Sequence, residues 1–266
     1  MRKKTLIEEL IEVSDPELDD KIVKSFHKKT ELSSDIFEKN DYGYTMNKGI
    51  REKLMSISDA FLDFVKINFF VHDVVLTGSL ANYNWSEFSD IDLHIVVDFD
   101  ELDGDGEKTS DSLKDIVKEF FDAKERVWNN RHDIKIKGYD VEIYVQEINQ
   151  EHVSSGVYSI LNNKWIVEPE YGKESIDEDK ILKKAEYFVS SIDKLVDKAN
   201  NGEDVESQVE KLRLKLKRFR QSGLDDGGEY SYENLTFKLL SRNGYIEKLL
   251  GLKKKLIDKK LSVEYW

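Results

Sequence analysis

The stretch that decides the fold is Leu76-Thr77-Gly78-Ser79-Leu80-Ala81-Asn82-Tyr83-Asn84-Trp85-Ser86-Glu87-Phe88-Ser89-Asp90-Ile91-Asp92-Leu93-His94-Ile95-Val96-Val97. Short β-branched runs at 74–77 and 93–97 are bounded by polar residues, so we expect two buried strands. Side chains two apart on a strand share a face, so Asp90 and Asp92 point the same way. Two adjacent carboxylates repel each other, and a divalent cation between them removes that repulsion. The stretch therefore predicts a metal site where the second strand begins.

Gly78 and Ser79 lie at the end of the first of these strands. We expect a helix over about 79–85 to follow them. The N-terminus of a helix offers free N–H groups and a partial positive charge, both of which suit a phosphate. Glycine lets the backbone approach a ligand closely, and serine adds a hydroxyl donor. The pair is therefore a candidate phosphate-binding turn.

The order Gly78-Ser79 followed by Ser89-Asp90-Ile91-Asp92-Leu93 resembles the active-site signature of the DNA polymerase β-type nucleotidyltransferase superfamily. Residues 78–93 also resemble nucleotidyltransferases encoded by tailed phages. The resemblance implies an α+β fold, a mixed sheet with flanking helices followed by an all-α domain. It further implies transfer of a nucleoside monophosphate from an NTP, ATP being the expected one. Asp90 and Asp92 would hold two Mg²⁺ ions, with Mn²⁺ as an alternative, and Gly78 and Ser79 would bind the leaving phosphates.

A third carboxylate is expected on a later hairpin, whose arms are 134–136 and 141–145. Glu142 lies between Val141 and Ile143 on an otherwise apolar arm, and strand propensity does not explain an acid there. The superfamily has a third carboxylate on a strand beside the Asp pair. Glu142 is therefore the candidate third ligand, with Asp140 as the alternative.

Composition limits the function classes. The chain has 266 residues, a net charge of −13 and no cysteine, which excludes disulfides, thiolate metal sites and cysteine nucleophiles. Residues 204–266 contain 14 Lys/Arg against 10 Asp/Glu, a net of +4, so residues 1–203 carry −17. A negative balance argues against indiscriminate binding to a nucleic acid backbone. We find neither a signal pattern nor a membrane-spanning stretch, and expect a cytoplasmic protein.

The expected domains are a helical arm at 1–45, a catalytic domain at 46–170 and a helical domain at 171–266. Within the last, a helix over about 204–221 aligns Lys211, Lys215 and Arg218 along one stripe. Related enzymes often supply a Lys or Arg from this domain to the triphosphate, so the three are candidate NTP contacts. The stripe also suits an RNA acceptor, or is a solvated face whose alkyl stems cover apolar surface.

The basic C-terminal part favours an RNA acceptor such as a tRNA-like end. The alternatives are transfer to a protein or a small molecule, and a non-catalytic interaction protein on the same fold. Clustered acids argue against the last of these, because a protein without catalysis has no physical need for them.

Overall fold

A computed structural model describes residues 18–67, 69–101, 110–150, 154–172 and 176–262. The described residues form two compact units. The sheet unit comprises the described residues from 27 to 172, and the helical unit comprises 18–26 and 176–262. Residues 1–17 of the expected helical arm lie outside the described residues.

The sheet unit contains a two-stranded hairpin and a six-stranded mixed sheet of order β5-β6-β4-β3-β7-β8. Within the sheet β4 and β6 are parallel, and every other neighbouring pair is antiparallel. The strands are β1 Phe37–Asn40, β2 Gly43–Met46, β3 Val71–Thr77, β4 Ile91–Val97, β5 Lys135–Ile136, β6 Tyr139–Glu147, β7 Val157–Ser159 and β8 Lys164–Val167. The expected strands around 74–77 and 93–97 and the hairpin after 134 are confirmed as β3, β4 and β5–β6. The sequence left β1, β2, β7 and β8 unrecognised.

Two helices of the sheet unit, α2 Lys48–Val65 and α3 Asp111–Arg131, share one apolar core with one face of the sheet. Asn47 and Ser110 cap them, with side chains that accept from the N–H groups of Gly49 and Leu113. The core of this face is built from Leu54, Phe61, Leu76, Leu93, Ile95, Phe121, Trp128 and Ile143. The opposite face carries a small apolar cluster of Val75, Val96 and Val157, together with polar side chains. A polar site on that second face therefore does not interrupt the main core.

The connection from β3 to β4 is less helical than expected. A 3₁₀ turn spans only Ser79–Ala81, in place of a helix over 79–85. Beyond this turn, polar side chains accept hydrogen bonds from backbone N–H groups. Asn82 Oδ1 accepts from the Tyr83 N–H at 2.7 Å, and Ser89 Oγ accepts from the Ser86 N–H at 2.9 Å. Asn and Ser side chains offer the backbone an alternative to helical hydrogen bonds, which explains the early end of the helix.

The helical unit contains α1 Asp20–Ser25, α4 Glu178–Asn200, α5 Glu206–Gly227, α6 Tyr232–Arg242 and α7 Tyr245–Leu261. Ser231 caps α6, because its Oγ accepts from the Asn234 N–H at 3.3 Å. None of the helices in the described ranges combines the length and the apolar content needed to cross a membrane. The expected α+β class, a mixed sheet with flanking helices followed by a helical region, is confirmed.

Candidate active site

Three carboxylates meet on the polar face of the sheet. Asp92 in β4 is directly opposite Glu142 in the parallel strand β6, and Asp90 immediately precedes β4. One ligand oxygen from each lies within 4.8 Å of the other two, and all three residues are half-buried. Register alone explains the Asp92–Glu142 pair, because residues opposite each other in a sheet project from the same face. The sequence placed these residues on separate segments, and strand pairing brings them together.

Asp140, the alternative third carboxylate, lies elsewhere. It is on β6 close to the turn, its side chain is 58% exposed, and its Oδ1 accepts from Lys135 Nζ at 2.5 Å. A carboxylate already paired with a lysine in solvent has no need of a metal. The grouping of ligand atoms therefore favours Glu142 over Asp140.

Gly78 makes room for Asp92. Its φ is +74°, a left-handed conformation that costs L-residues free energy. A Cβ built on Gly78 would lie 1.8 Å from Asp92 Oδ2, far inside van der Waals contact. Glycine is thus required twice, by the backbone angle and by the position of the carboxylate. The turn and the acid pair form one structural unit.

Tyr144 lies two residues beyond Glu142 on the same face, and its hydroxyl donates to Glu142 Oε2. Its ring is 5.0 Å from the ring of His94, its partner in the β4–β6 register. Burial raises the pKa of Tyr144 far above its usual value, and the hydrogen bond to Glu142 and the negative charges of Asp92, Glu142 and Asp90 raise it further. Tyr144 therefore stays protonated and acts as a hydrogen-bond donor to the carboxylate. The sequence placed it beside Glu142 but gave it no role.

Ser79 is buried, and its hydroxyl donates to Ser89 Oγ at 2.8 Å. The neighbouring N–H of Gly78 donates to Ser154 Oγ at 3.2 Å. Ser154 comes from the segment after β6, which packs tightly here: a Cβ on Gly156 would lie 2.0 Å from the carbonyl oxygen of Ala81. Sequence reasoning missed this contact, and nothing in the run Ser154-Ser155-Gly156 signals it. Hydrogen bonds to Ser89 and Ser154 thus hold the Gly78-Ser79 turn in place.

The basic stripe lies in the helical unit, whereas the acids and the Gly-Ser turn lie in the sheet unit. Lys211, Lys215 and Arg218 are exposed on α5. Lys215 Nζ donates to the Tyr187 hydroxyl at 2.8 Å and lies 4.5 Å from the centre of that ring. This hydrogen bond lowers the pKa of Tyr187. The stripe therefore combines exposed cations with an aromatic ring.

The three clustered acids fit a divalent metal ion. Ionised carboxylates only accept hydrogen bonds, and three of them within ligand distance repel one another unless a cation neutralises them. Carboxylate oxygens are also the ligands that Mg²⁺ and Mn²⁺ prefer. The donor set on the polar face therefore suits a hard cation.

A mixed sheet carrying three acids beside a glycine-serine turn defines a nucleotidyltransferase-type domain. Residues 54–167 match a family model described as a nucleotidyltransferase domain, and this range includes Gly78, Asp90, Asp92 and Glu142. The matched residues fit the DNA polymerase β-type nucleotidyltransferase superfamily, and the match supports a general function in nucleotidyl transfer. No curated protein matches the chain.

Proposed function

We propose that this chain transfers a nucleoside monophosphate from an NTP, ATP in the first instance, to a hydroxyl of an acceptor. The observation that carries the proposal is the grouping of Asp90, Asp92 and Glu142 beside Gly78 within the matched domain. We place this activity in the catalytic segment 46–170.

In this proposal Asp90, Asp92 and Glu142 hold two Mg²⁺ ions. When bound, such ions would neutralise the phosphate charge and make the attacking hydroxyl more acidic. The acceptor oxygen forms a bond to the α-phosphorus, the bond from that phosphorus to the bridging oxygen breaks, and pyrophosphate leaves. The hydroxyl proton passes to one of the carboxylates, Glu142 or one of the aspartates. Tyr144 fixes the Glu142 carboxylate by its hydrogen bond, so the residues supply position and charge rather than a protein nucleophile.

The leaving phosphates bind at Gly78 and Ser79 in this scheme. The Gly78 N–H, which now donates to Ser154 Oγ, is a donor of the kind that phosphate oxygens accept from. Ser79 contributes through its backbone N–H, because its hydroxyl is buried and bonded to Ser89. Lys211, Lys215 and Arg218 of α5 are further candidate NTP contacts in this proposal, because they are exposed cations.

The acceptor that we propose is an RNA end. Support comes from the net positive charge of residues 204–266 and from the exposed lysines and arginine of α5. The Tyr187 ring beside Lys215 adds an aromatic surface next to a cation, a pairing suited to unpaired nucleotides. Transfer to a protein or small-molecule hydroxyl uses the same chemistry and differs only in the labelled product.

The test is an incorporation assay with purified protein, Mg²⁺ and each α-labelled NTP in turn, with total RNA and a protein lysate as separate acceptors. The inactive control is the Asp90→Asn/Asp92→Asn double variant. The matched control is Asp98→Asn/Glu101→Gln, which changes two acids of a second cluster in the same unit. Label on RNA that the first variant loses and the second retains is the expected result.

Label on protein instead would move the acceptor to the alternative. Absence of label on every acceptor, with no Mg²⁺-dependent NTP binding, would refute the enzymatic proposal and leave a non-catalytic interaction protein.

A further inference from the structure

The outer edge of β6 is completed in an unusual way. In the described part of the chain, β5 pairs with β6 at Tyr139 and Asp140 alone, although β6 continues to residue 147. The next N–H on this edge, that of Val141, donates to the carbonyl of Ile134 at 2.9 Å. Beyond Val141 the backbone groups on this edge need another hydrogen-bond partner, because an unpaired strand edge leaves donors and acceptors unsatisfied.

Two side chains of α3 supply that partner. Asn129 binds both polar groups of one residue: its Nδ2 donates to Ile143 O at 3.1 Å, and its Oδ1 accepts from Ile143 N at 3.1 Å. One helical turn earlier, Glu125 Oε1 accepts from the N–H of Val145 at 2.5 Å. The helix thus makes the hydrogen bonds that a neighbouring strand would otherwise make.

The spacing explains why a helix can do this. Residues four apart on a helix are separated by about 6 Å along its axis. Residues two apart on a strand are separated by about 6.6 Å. Glu125 and Asn129 therefore match Val145 and Ile143, with the helix running antiparallel to the strand. A primary amide also carries one donor and one acceptor side by side, as a peptide group does.

Burying the side chain of Glu125 costs more free energy than burying that of Asn129, because Glu125 carries a carboxyl group. Its side chain is buried, and this burial raises its pKa to about 7, while the Val145 N–H acts in the opposite direction. Burying a carboxyl group is unfavourable unless its hydrogen bond satisfies a group that would otherwise be unpaired. The position of Glu125 is consistent with a requirement for an acceptor at the edge of β6.

We propose that Asn129 and Glu125 are positioning residues for Glu142, and that α3 sets the metal affinity of the site through the edge of β6. Glu142 lies between Val141 and Ile143, both of which have their N–H groups held by α3 or by the segment that follows it. Movement of this edge would shift Glu142 relative to Asp92 in β4. This role rests on the proposed function, because it matters only if Glu142 is a metal ligand.

The experiment measures two properties of the full-length chain: Mn²⁺ binding by electron paramagnetic resonance, and amide hydrogen exchange at Ile143 and Val145 by NMR. Asn129→Leu removes both hydrogen bonds to Ile143, and Glu125→Met removes the acceptor for Val145. Asn130→Leu, at the exposed adjacent position, is the matched control for the first, and Glu119→Met, exposed on the same helix, for the second. Glu125→Gln keeps an acceptor and is the conservative variant.

We expect Asn129→Leu and Glu125→Met to weaken Mn²⁺ binding roughly tenfold, as loss of groups that orient a ligand typically does. Exchange at the amide that has lost its acceptor should accelerate in the same variants. Glu125→Gln and both controls should keep wild-type affinity. If Asn129→Leu fails to fold, Asn129→Asp keeps the acceptor for the Ile143 N–H, loses only the donor to Ile143 O, and should give a smaller loss of affinity.

Faster exchange with unchanged Mn²⁺ affinity would overturn the positioning role and leave these residues as edge caps. Wild-type protein that binds no Mn²⁺ while Ile143 and Val145 remain protected would instead refute the proposed function, and the positioning role with it. The exchange measurement separates these two failures, because it reports on the edge of β6 without any metal.

Discussion

Two clusters of ligand-type side chains lie at opposite ends of the β3–β4 pair. One comprises Asp90, Asp92 and Glu142 (the acid cluster), and the other His72, Asp98 and Glu101 (the histidine cluster). In each, one ligand atom from every member lies within 4.8 Å of the others. By distance alone the two are equivalent.

Their surroundings differ. In the histidine cluster His72 Nε2 lies 3.0 Å from Glu101 Oε2, and the Glu101 side chain is half exposed to water. The neighbouring Asp100 is paired with Lys114 at 2.7 Å. The acid cluster consists of carboxylates alone, is half-buried on adjacent strands, and has a glycine that leaves space for Asp92. Proximity of ligand atoms is therefore weaker evidence for a site than several carboxylates held half-buried on adjacent strands with space prepared for one of them.

The largest expected effect separates the two clusters directly. Asp92→Asn should lower nucleotidyl transfer about a thousandfold, because cation-based charge neutralisation contributes several kcal/mol to such reactions. Asp98→Asn should leave the rate within about twofold, since that cluster has no part in the proposed chemistry. Both are measured with an α-labelled NTP and purified acceptor, with circular dichroism to establish that each variant is folded. Equal losses in the two variants would contradict the assignment of the acid cluster.

The next effect tests the prepared space. Gly78→Ala should reduce transfer about a hundredfold, because its Cβ would displace the Asp92 carboxylate by an ångström or more. Gly138→Ala is the matched control, since Gly138 also has a positive φ, +91°, but nothing within 4 Å of an added Cβ. It should cost about 1 kcal/mol of stability and leave transfer unchanged. Parallel losses of activity would mean that backbone strain, and not the clash with Asp92, is what matters at Gly78.

Glu125 extends the comparison to a buried acid outside both clusters, whose pKa of about 7 is caused chiefly by burial. The pKa of Glu125 is higher in the native state than the unfolded value of 4.5, so the native state binds more protons between pH 4.5 and about pH 7. The free energy of unfolding therefore falls as the pH rises through this range. The shift corresponds to about 3 kcal/mol of stability lost between about pH 4.5 and pH 7. Glu125→Gln should remove this part of the pH dependence.

The measurement is urea unfolding followed by tryptophan fluorescence at pH 5 and pH 8, for wild type, Glu125→Gln and Glu119→Gln. Glu119 is exposed on the same helix and controls for the loss of one charge. The difference between the two pH values should shrink only in the Glu125 variant. An unchanged difference there would show that the carboxyl is ionised in the native state.

Much of the six-stranded sheet, and the shared face of Asp92 and Glu142, could be predicted from the sequence. Strand periodicity fixes which side chains share a face, so β3, β4 and the face of Asp92 and Glu142 follow from local pattern. The expected α+β class with helices after the sheet followed in the same way. The roles of Asp90, Asp92 and Glu142 as ligands remain proposals.

What the sequence could not supply are contacts fixed by pairing between distant segments. The hydrogen bonds of Asn129 to Ile143 depend on how α3 lies along β6, and no local pattern specifies that. The bond from Gly78 to Ser154 joins residues 76 apart in a segment without periodicity. The prediction of a helix over 79–85 was wrong for a local reason, because side-chain hydrogen bonds from Asn82 and Ser89 compete with helical ones.

The smallest expected effect concerns a feature that the two clusters share. In each, an aromatic ring contacts one carboxylate: Tyr144 donates to Glu142, and His72 lies beside Glu101. Tyr144→Phe removes one hydroxyl and keeps the ring, whose centre lies 5.0 Å from that of His94. Transfer should fall about tenfold, as is typical when a group that orients a ligand is lost. His72→Phe, the corresponding change at the other cluster, should have no effect on transfer.

The dependence on metal concentration shows how Tyr144 acts. If its hydroxyl orients Glu142, Tyr144→Phe should raise the Mg²⁺ concentration needed for half-maximal rate and leave the KM for the NTP close to the wild-type value. A change in the KM alone would place Tyr144 at the nucleotide instead.

Because burial and the three carboxylates keep the pKa of Tyr144 high, its donor role should persist to alkaline pH. The usual pKa of tyrosine is about 10, and that of Tyr144 is higher. The ratio of wild-type to Tyr144→Phe rates should therefore stay constant between about pH 7 and pH 9. A ratio that falls toward one at pH 9 would contradict a protonated donor, and with it the view that the acid cluster controls this side chain.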